Sequence, residues 1–293
     1  MRLLLTTQAL DQSDPILGFF VRWVEEIALH CDSIDVICLR KGEYQLPSHV
    51  RVHVLPASKL ARAWRVLRLA STLTYDAVFV HMNPEYLVVA GWLWRLRRVR
   101  TALWYTHKSV DLKLRIAAWF AHVIFTASSA SFRLATPKLK VMGHGIDTAF
   151  FSPDPGALRG THYLSVGRLM PSKRHDLAIR AAAEAGVPLH IAGSGPEQAN
   201  LEALAAQLGA EVVFLGGITH EELRGEYRTA AKLIHTSETG SLDKVVLEAL
   251  ACGLPISTRD PALKYLEHEG SEYVQKNHSL DSLVARILEI LHG

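Results

Sequence analysis

The sequence predicts an α/β protein with two doubly wound parallel sheets, and three observations support this fold class. Short apolar runs alternate with longer amphipathic stretches along all 293 residues, which is the pattern of repeated βαβ units. Most apolar runs are continuous, as expected for strands buried on both faces of a sheet. A hydrophobic content of 49% supplies a large core, and the length is enough for about two domains.

Strands are predicted wherever a short apolar run lies between polar or glycine-containing segments. In the first half of the chain these runs are Leu3–Thr7, Ile34–Leu39, Val50–Leu55, Ala77–His81, Thr101–Thr106, Val123–Ala127 and Lys140–Gly143. In the second half they are His162–Val166, Leu189–Ala192, Val212–Leu215, Leu233–Thr236 and Pro255–Ser257. Helical patterns fill the gaps, for example at Phe19–Leu29, Asp176–Ala185, Glu197–Leu208 and His220–Thr229. Such alternation makes neighbouring strands parallel, with right-handed crossovers.

A change in composition at Ile146–Arg159 predicts the domain boundary. This segment contains two prolines and a glycine and shows no hydrophobic period. Residues 1–150 carry a net charge of +8 and residues 151–293 a net charge of −5, so the two parts are expected to face different partners. We therefore predict domains 1–150 and 151–293. Ligands are expected at the carboxyl ends of the strands, in the cleft between the domains.

Cysteine usage and hydropathy predict a cytoplasmic protein that is soluble or at most peripheral to a membrane. The three cysteines lie far apart and form no CxxC pair, which argues against a disulfide or zinc framework. The opening run MRLLLTTQ is too short for a signal peptide. The longest apolar stretch, Tyr86–Trp94, is well below the roughly 18 residues of a membrane-spanning helix.

Two basic runs in the first half lie beside tryptophans. The first has Lys59, Arg62, Arg65 and Arg68 at every third position around Trp64, and the second has Arg95, Arg97, Arg98 and Arg100 beside Trp92 and Trp94. Basic residues with tryptophans are typical of an anionic membrane surface, and a solvated helix face is the alternative. No recognised nucleic-acid-binding module accompanies the charge, so nucleic acid is not an expected partner.

Polar residues that follow strands of the first half are candidates for a binding site. Gly18 ends the polar loop Thr6–Leu17, where it either lets a ligand approach a helix N-terminus or simply starts the helix. His107 follows a buried strand and is a candidate hydrogen-bond donor to a substrate. His81 ends another strand and has a weaker claim of the same kind. The chain contains no GxGxxG, so a dinucleotide fingerprint is absent.

Two cations, Arg168 and Lys173, follow the first strand of the second half. Such a pair at a strand end suits a diphosphate, because Arg binds phosphate oxygens bidentately and Lys acts as a point charge. A surface loop with scattered charge is the alternative. The later glycine turn at Gly193–Pro196 could contact a base and ribose or serve only as a tight turn. Thr219 with Glu222 predicts a capping box at the start of a helix.

The stretch Leu233–Ser257 reads as a strand, a polar glycine-containing loop, a helix and another strand. The loop TSETGSLDK opens a helix whose first N–H groups and dipole suit an anionic ligand. Glu248 within this helix could accept hydrogen bonds from ribose hydroxyls. The helix is expected to end near Gly253, with Pro255 just beyond.

The motifs of residues 161–258 resemble a known family. VGRLMPSK, IAGSGP, FLG and LEALACGLP occur in this order, and together they are similar to the donor half of GT-B-fold retaining glycosyltransferases of family 4. The first half carries weaker likenesses, at THK around His107 and at GHGIDTAFFSP. The resemblance implies two Rossmann-like domains facing a cleft and sugar transfer with retention from a nucleotide diphosphate sugar. It also implies that no metal and no cofactor other than this co-substrate are needed.

The resemblance also implies roles for individual residues. Arg168 and Lys173 would contact the diphosphate and stabilise the leaving nucleotide, and His107 would contact the donor sugar near the reacting carbon. Gly18 would lie under the phosphates, and Glu248 would hold the ribose. The remaining donor-binding candidates form the loop Gly240, Ser241, Leu242 and Asp243, whose backbone amides would meet the sugar and phosphates.

The chain departs from the family pattern at two places. The family loop carries two glutamates separated by seven residues, and with Glu248 as the second, the first falls on Gly240. Glu238 and Asp243 are the two candidates to replace it. The family's C-terminal helix that returns to the first domain is expected to be reduced or absent.

Three functions follow from these observations. The first is a hexosyltransferase that acts on a glycan or lipid-linked acceptor in bacterial polysaccharide biosynthesis, in the cytoplasm or at the inner membrane face. The second is a degenerate protein that binds a nucleotide sugar without catalysis. This function is suggested by Gly240, which stands where the family has a glutamate. The third, a sugar-nucleotide epimerase, would carry more carboxylates in the first domain than this chain has.

Overall fold

The chain folds into two α/β units. The computed structural model describes residues 1–14, 17–238 and 240–293. The first unit comprises Met1–Gly145 together with Leu280–Gly293, and the second comprises Ile146–Ser279. Each unit has its own parallel sheet and its own hydrophobic core. The predicted class, two parallel-sheet α/β domains, is therefore confirmed.

Strands and helices alternate through both units. The strands of the first unit are β1 (Arg2–Leu10), β2 (Ser33–Lys41), β3 (Val50–Val54), β4 (Ala77–His81), β5 (Arg100–Trp104), β6 (Val123–Thr126) and β7 (Leu139–Val141). Those of the second are β8 (Tyr163–Val166), β9 (Leu189–Ala192), β10 (Val212–Gly216), β11 (Lys232–His235) and β12 (Ile256–Thr258). The helices are α1 (Phe19–Ala28), α2 (Lys59–Thr72), α3 (Glu85–Leu96), α4 (Leu112–Phe120), α5 (His175–Ala185), α6 (Gln198–Leu208), α7 (His220–Thr229), α8 (Lys244–Ala251), α9 (Ser271–His278) and α10 (Leu280–His292). Short 3₁₀ segments lie at Ser129–Ser131, Pro171–Lys173 and Pro261–His268.

The first unit is a three-layer structure around a seven-stranded sheet in the order β3-β2-β1-β4-β5-β6-β7. Because side chains alternate along a strand, Leu3 and Leu5 of β1 pack on one face and Leu4 on the other. The first face is covered by α1 and α10, and the second by α2, α3 and α4. The continuous apolar strands therefore contribute side chains to the hydrophobic clusters on both faces of this sheet.

The last helix corrects the expected domain division and the expected absence of a returning helix. Residues 280–293 were assigned to the second domain, but α10 packs against α1, β4 and β5 of the first unit. The reason is its apolar stripe, in which Leu283, Val284 and Ile287 are buried. The other boundary lies at Gly145–Ile146 rather than at residues 150 and 151.

The second unit has a five-stranded parallel sheet in the order β10-β9-β8-β11-β12. One core cluster joins Leu164 of β8 to α7 and α8, and another joins Leu189 and Ile191 of β9 to α5 and α6. The loops that follow β8 and β11 emerge side by side, because these two strands are neighbours. Among the helices of the described residues, none has the length and hydropathy needed to cross a membrane.

Candidate functional site

Lys173 and Asp243 meet at the carboxyl edge of the second sheet. Lys173 ends the 3₁₀ segment that follows β8, and Asp243 ends the loop that follows β11. The Nζ atom of Lys173 lies 2.7 Å from Oδ2 of Asp243. Both side chains are partly buried, with 23% and 24% of their surface exposed. The structure thus brings together two residues that the sequence separates by 70 positions.

Asp243 also holds a histidine that sequence reasoning did not single out. The Nε2 atom of His235 lies 3.1 Å from the same Oδ2 atom, and Nδ1 lies 2.8 Å from the hydroxyl of Thr258. Burial acts to raise the pKa of the Asp243 carboxyl, but the hydrogen bond from His235 and the charge of Lys173 outweigh it and lower the pKa to about 2. Asp243 is therefore a carboxylate at neutral pH. His235 ends β11, so its position at a strand end was the available signal.

Arg168 is the second cation that the sequence predicted after β8. Its side chain is exposed and forms no hydrogen bond or ion pair with any residue of the described ranges. Lys173, by contrast, is already matched by Asp243. The guanidinium N–H groups of Arg168 are therefore available to donate hydrogen bonds to a phosphate.

The glycines of the GSGP turn are required by packing within the protein. A Cβ at Gly193 would lie 2.0 Å from the carbonyl oxygen of Gly167, and one at Gly195 would lie 2.4 Å from that of Leu169. The amide of Leu169 also donates to Ser194 at 2.9 Å. This turn packs against the loop that contains Arg168. Its glycines are therefore explained by the tight turn alone, without contact to a base or ribose.

The conformation of the loop before α8 accounts for a glycine at position 240. Gly240 has φ of +64°, a left-handed conformation that other residues adopt only with strain. Its amide donates to Oδ2 of Asp260 at 2.6 Å, and Oδ1 of the same buried carboxylate accepts from Ala262. Asp260 follows β12 and was not predicted. Thr239, the residue before Gly240, lies outside the described residues.

The rest of the loop leads into α8 through Asp243. Asp243 is the N-cap residue, but its side chain makes no capping hydrogen bond, because it is directed to Lys173 and His235. Leu242 is buried in the core of the second unit, and Ser241 is half-buried. The first-turn amides of α8 are thus not capped by the side chain of Asp243.

Glu248 is buried, with 5% of its surface exposed. Its Oε2 atom accepts a hydrogen bond from the hydroxyl of Tyr227 at 3.3 Å, and Oε1 lies 3.6 Å from Nζ of Lys244. Burial lowers the pKa of Lys244, against the opposite effect of the Glu248 charge. Tyr227 was not predicted as part of the site. The predicted capping box of Thr219 and Glu222 is present at the start of α7.

The candidates of the first unit follow strand ends as predicted. His107 is exposed, and its Nδ1 atom accepts from the backbone amide of Ser109 at 3.1 Å. The neutral ring therefore carries its proton on Nε2, which can donate to a ligand. His81 is 1% exposed, stacks on Phe20 with 3.8 Å between ring centres, and lies 3.2 Å from the hydroxyl of Thr7. It is a core residue of the first unit.

Gly18 precedes α1 with a helical φ of −54°. A Cβ there would lie 2.6 Å from the carbonyl oxygens of both Asp14 and Gln12. The protein's own loop therefore approaches this position closely enough to require glycine. Two residues of that loop, Pro15 and Ile16, lie outside the described ranges. The roles predicted for Gly18, His107, Arg168, Lys173, the 240–243 loop and Glu248 stay predictions.

Comparison with known proteins places this geometry in a family context. Residues 157–293 match the family model for glycosyl transferases group 1. A D-inositol 3-phosphate glycosyltransferase of Acidothermus cellulolyticus is 34% identical over 146 residues, covering 41% of this chain and 32% of that protein. A GDP-mannose-dependent alpha-mannosyltransferase of Mycobacterium tuberculosis is 27% identical over 259 residues, covering 74% of this chain and 66% of that protein. The chain thus spans about a third of the length of the first of these relatives.

The fold is shared over nearly the whole chain with a solved structure. The Anabaena protein Alr3699/HepE, in complex with UDP and glucose, has a TM-score of 0.75 at 18% sequence identity, and 99% of both chains is covered. At this identity the likeness concerns the fold alone. The chain therefore has the two-sheet architecture of GT-B proteins, and its residues 157–293 match the model for glycosyl transferases group 1.

Proposed function

We propose that this protein is a retaining glycosyltransferase of family 4 that uses a nucleotide diphosphate sugar as donor and needs no metal for transfer. The observation that carries this proposal is the pair of cations in the loop that follows β8, in which Lys173 is held by Asp243 and Arg168 is exposed with no acidic partner among the described residues. It lies within the stretch that matches the group 1 model. The similar D-inositol 3-phosphate glycosyltransferase and GDP-mannose-dependent alpha-mannosyltransferase support the same reaction class.

The arrangement suits the departure of a diphosphate. The carboxylate of Asp243 offsets the charge of Lys173, and Arg168 adds a positive charge that no acidic side chain of the described residues offsets. A fixed cation stabilises the charge that develops as the bond to the sugar breaks, without reorganising at that moment. The helix dipole at the start of α8 adds a second feature that favours an anion. Together these groups would stabilise the leaving nucleotide.

Other residues would orient the donor. Glu248 would accept hydrogen bonds from ribose hydroxyls through the oxygen atoms that Tyr227 and Lys244 hold in place. His107 would donate from Nε2 to the sugar, because Ser109 keeps Nδ1 an acceptor. The sugar hydroxyls would meet the 240–243 loop through backbone groups, since Gly240 offers no carboxylate.

We further propose that the acceptor is a lipid-linked glycan precursor and that the first unit contacts an anionic membrane from the cytoplasmic side. Trp64 on α2 is 61% exposed and Trp119 on α4 is 66% exposed. Each lies under an arginine, Arg68 at 5.5 Å and Arg95 at 5.6 Å from the ring centre. Because α3 packs against both α2 and α4, these pairs belong to one helical layer. All three cysteines are free, in keeping with a reducing compartment.

Donor binding tests the proposed function. Purified protein would be heated with UDP, GDP and ADP and with their sugars, and at least one is expected to raise the melting temperature because it binds the folded state. Arg168→Ala should weaken that ligand about tenfold or more, since a hydrogen bond to a charged group contributes about 1.5–3 kcal/mol. Arg180→Ala, an exposed arginine of the same unit, is the matched control. No shift with any nucleotide, or equal affinity in both variants, would contradict the proposal.

A protein that binds a nucleotide sugar without catalysis is the second candidate. Gly240 favours it, because the family's sugar-binding carboxylate is replaced by a residue whose left-handed conformation disfavours any side chain. Release of nucleotide from the donor, alone or with acceptor, decides between the two. Turnover that is lost in Glu248→Gln supports the transferase. Tight binding without turnover supports the second candidate.

A further inference from the structure

Two histidines and a glutamate come together at the edge of the second sheet opposite the residues discussed above. His162 directly precedes β8, His190 is the second residue of β9, and Glu226 lies on α7. His190 is paired in register with Leu164, which shares a sheet face with His162 by alternation. Leu164 packs against residues of α7, so the same face presents both imidazoles to Glu226.

One carboxylate oxygen faces both rings. Oε2 of Glu226 lies 2.9 Å from Nδ1 of His190 and 3.4 Å from Nε2 of His162. The candidate ligand atoms of the three residues all lie within 4.8 Å of one another. The rings are stacked, with centres 4.0 Å apart and planes inclined by 23°.

The cluster is enclosed and incompletely satisfied. The three side chains are between 16% and 24% exposed. The Nε2 atom of His162 is buried, and within the described residues it has no partner with hydrogen-bond geometry. A buried ring nitrogen without a hydrogen-bond partner costs free energy unless another group satisfies it.

We propose that His162, His190 and Glu226 bind a zinc ion. Two imidazoles and one carboxylate are an established zinc donor set, with water as the fourth ligand. Ligand atoms at about 2.0–2.1 Å from a tetrahedral ion are about 3.3 Å apart, and the two distances to Glu226 lie on either side of this value. Magnesium and calcium are excluded as preferred ions because they select oxygen ligands.

The two stacked imidazole rings must rotate slightly away from each other so that one nitrogen of each can face the ion. The torsion that turns an imidazole about its Cβ–Cγ bond is broad, so this adjustment needs no change in the backbone. The ion would then join α7 to β8 and β9. His162 lies five residues before Gly167, about 16 Å along an extended chain, so this ion is not part of the diphosphate site.

Zinc titration of the full chain tests the site directly. Metal-free protein would be titrated with ZnCl₂ by calorimetry, and one saturable ion per chain is expected. His162→Gln and Glu226→Gln should each weaken binding by about tenfold or more, while Glu221→Gln, an exposed glutamate on the same helix, should not. Equimolar zinc should raise the melting temperature of the parent protein and of Glu221→Gln only.

Cobalt distinguishes ligation from a merely hydrogen-bonded cluster. CoCl₂ bound in a tetrahedral site of these ligands should give visible absorption that His162→Gln lacks. Each variant would first be compared with the parent protein without metal, so that a folding defect is recognised. The proposal is overturned if the parent protein binds no saturable ion, or if Glu226→Gln and Glu221→Gln bind zinc equally.

Discussion

Nζ of Lys173 lies 2.7 Å from Oδ2 of Asp243, across the loops that follow two neighbouring strands of the second sheet. The same carboxylate oxygen is 3.1 Å from Nε2 of His235. One acidic side chain therefore positions the cation that the diphosphate is expected to meet. It also offsets the charge of that cation, whereas Arg168 has no acidic partner among the described residues.

Replacing Asp243 by Asn should destabilise the protein and weaken nucleotide binding. The pKa of Asp243 is lowered from 3.8 to about 2, and at 1.36 kcal/mol per unit this corresponds to about 2 kcal/mol of stability. Because the folded-state pKa is the lower one, this stability is present above about pH 4 and is lost as the pH falls toward 2. Urea unfolding at pH 7 and pH 3 would measure it.

Asp154→Asn is the control for this prediction, since Asp154 is a more exposed acid of the same unit. Equal free energies of unfolding for the two variants at pH 7 would show that the Lys173–Asp243 pair contributes nothing. If Asp243→Asn lost nucleotide affinity but not stability, Asp243 would act only by orienting Lys173.

Placing a side chain at position 240 should cost stability. Gly240→Ala keeps the left-handed backbone only with about 1–2 kcal/mol of strain, and Gly240→Glu should cost at least as much. Thermal unfolding would be compared with Gly217→Ala, where a Cβ meets nothing within 4 Å. If Gly240→Glu were as stable as the parent protein and gained activity, the loop conformation would not require glycine. The glycine would then reflect only the loss of the family's glutamate.

His278→Phe should make the protein more tolerant of acid. Burial lowers the pKa of His278 from 6.5 to about 4, and neither ring nitrogen has a hydrogen-bond partner in the described part of the chain. The unfolded chain binds a proton below about pH 6.5 and the folded chain does not until about pH 4, so stability falls in that window, by about 3 kcal/mol for this group.

Melting temperatures at pH 7.5 and pH 5 would measure the effect of His278. The difference between the two should be smaller in His278→Phe than in the parent protein and in His268→Phe, whose histidine is exposed. His175, also buried with a pKa lowered to about 4, would retain the remaining acid sensitivity. An unchanged difference would show that His278 does not set the pH dependence.

The exposed tryptophans should determine binding to anionic vesicles. The double variant Trp64→Ala, Trp119→Ala removes two interfacial anchors while keeping their arginines, and its co-sedimentation with phosphatidylserine vesicles should fall several-fold. Leu158→Ala, at an 89% exposed leucine of the second unit, is the control. Binding should weaken with salt, because the arginines act through charge. Equal sedimentation of both variants would contradict the proposed membrane contact.

The local hydrophobic pattern predicted which segments form strands better than it predicted where each strand ends. All the strands of both sheets overlap predicted apolar runs, and an inner strand such as β4 is apolar except at its last residue because it is buried on both faces. The strand β1 extends three residues beyond the predicted end at Thr7, to Leu10, since Ala9 and Leu10 pair with β2 and are buried. Polar residues at strand ends predicted Lys173 and Asp243 as site candidates, because parallel strands end at one edge.

The fold class, the two sheets and the segments that build the candidate site could all be predicted from the sequence. These depend on hydrophobic period and on turn residues, which are local properties of the chain. The folded chain was needed to show that Lys173 is paired with Asp243, that Arg168 has no such partner among the described residues, and that the last helix returns to the first unit. Pairings of this kind join residues far apart in sequence, so they depend on how the strands are ordered and which helix faces they bury. For the same reason, the cluster of His162, His190 and Glu226 became visible only once β8, β9 and α7 were in place.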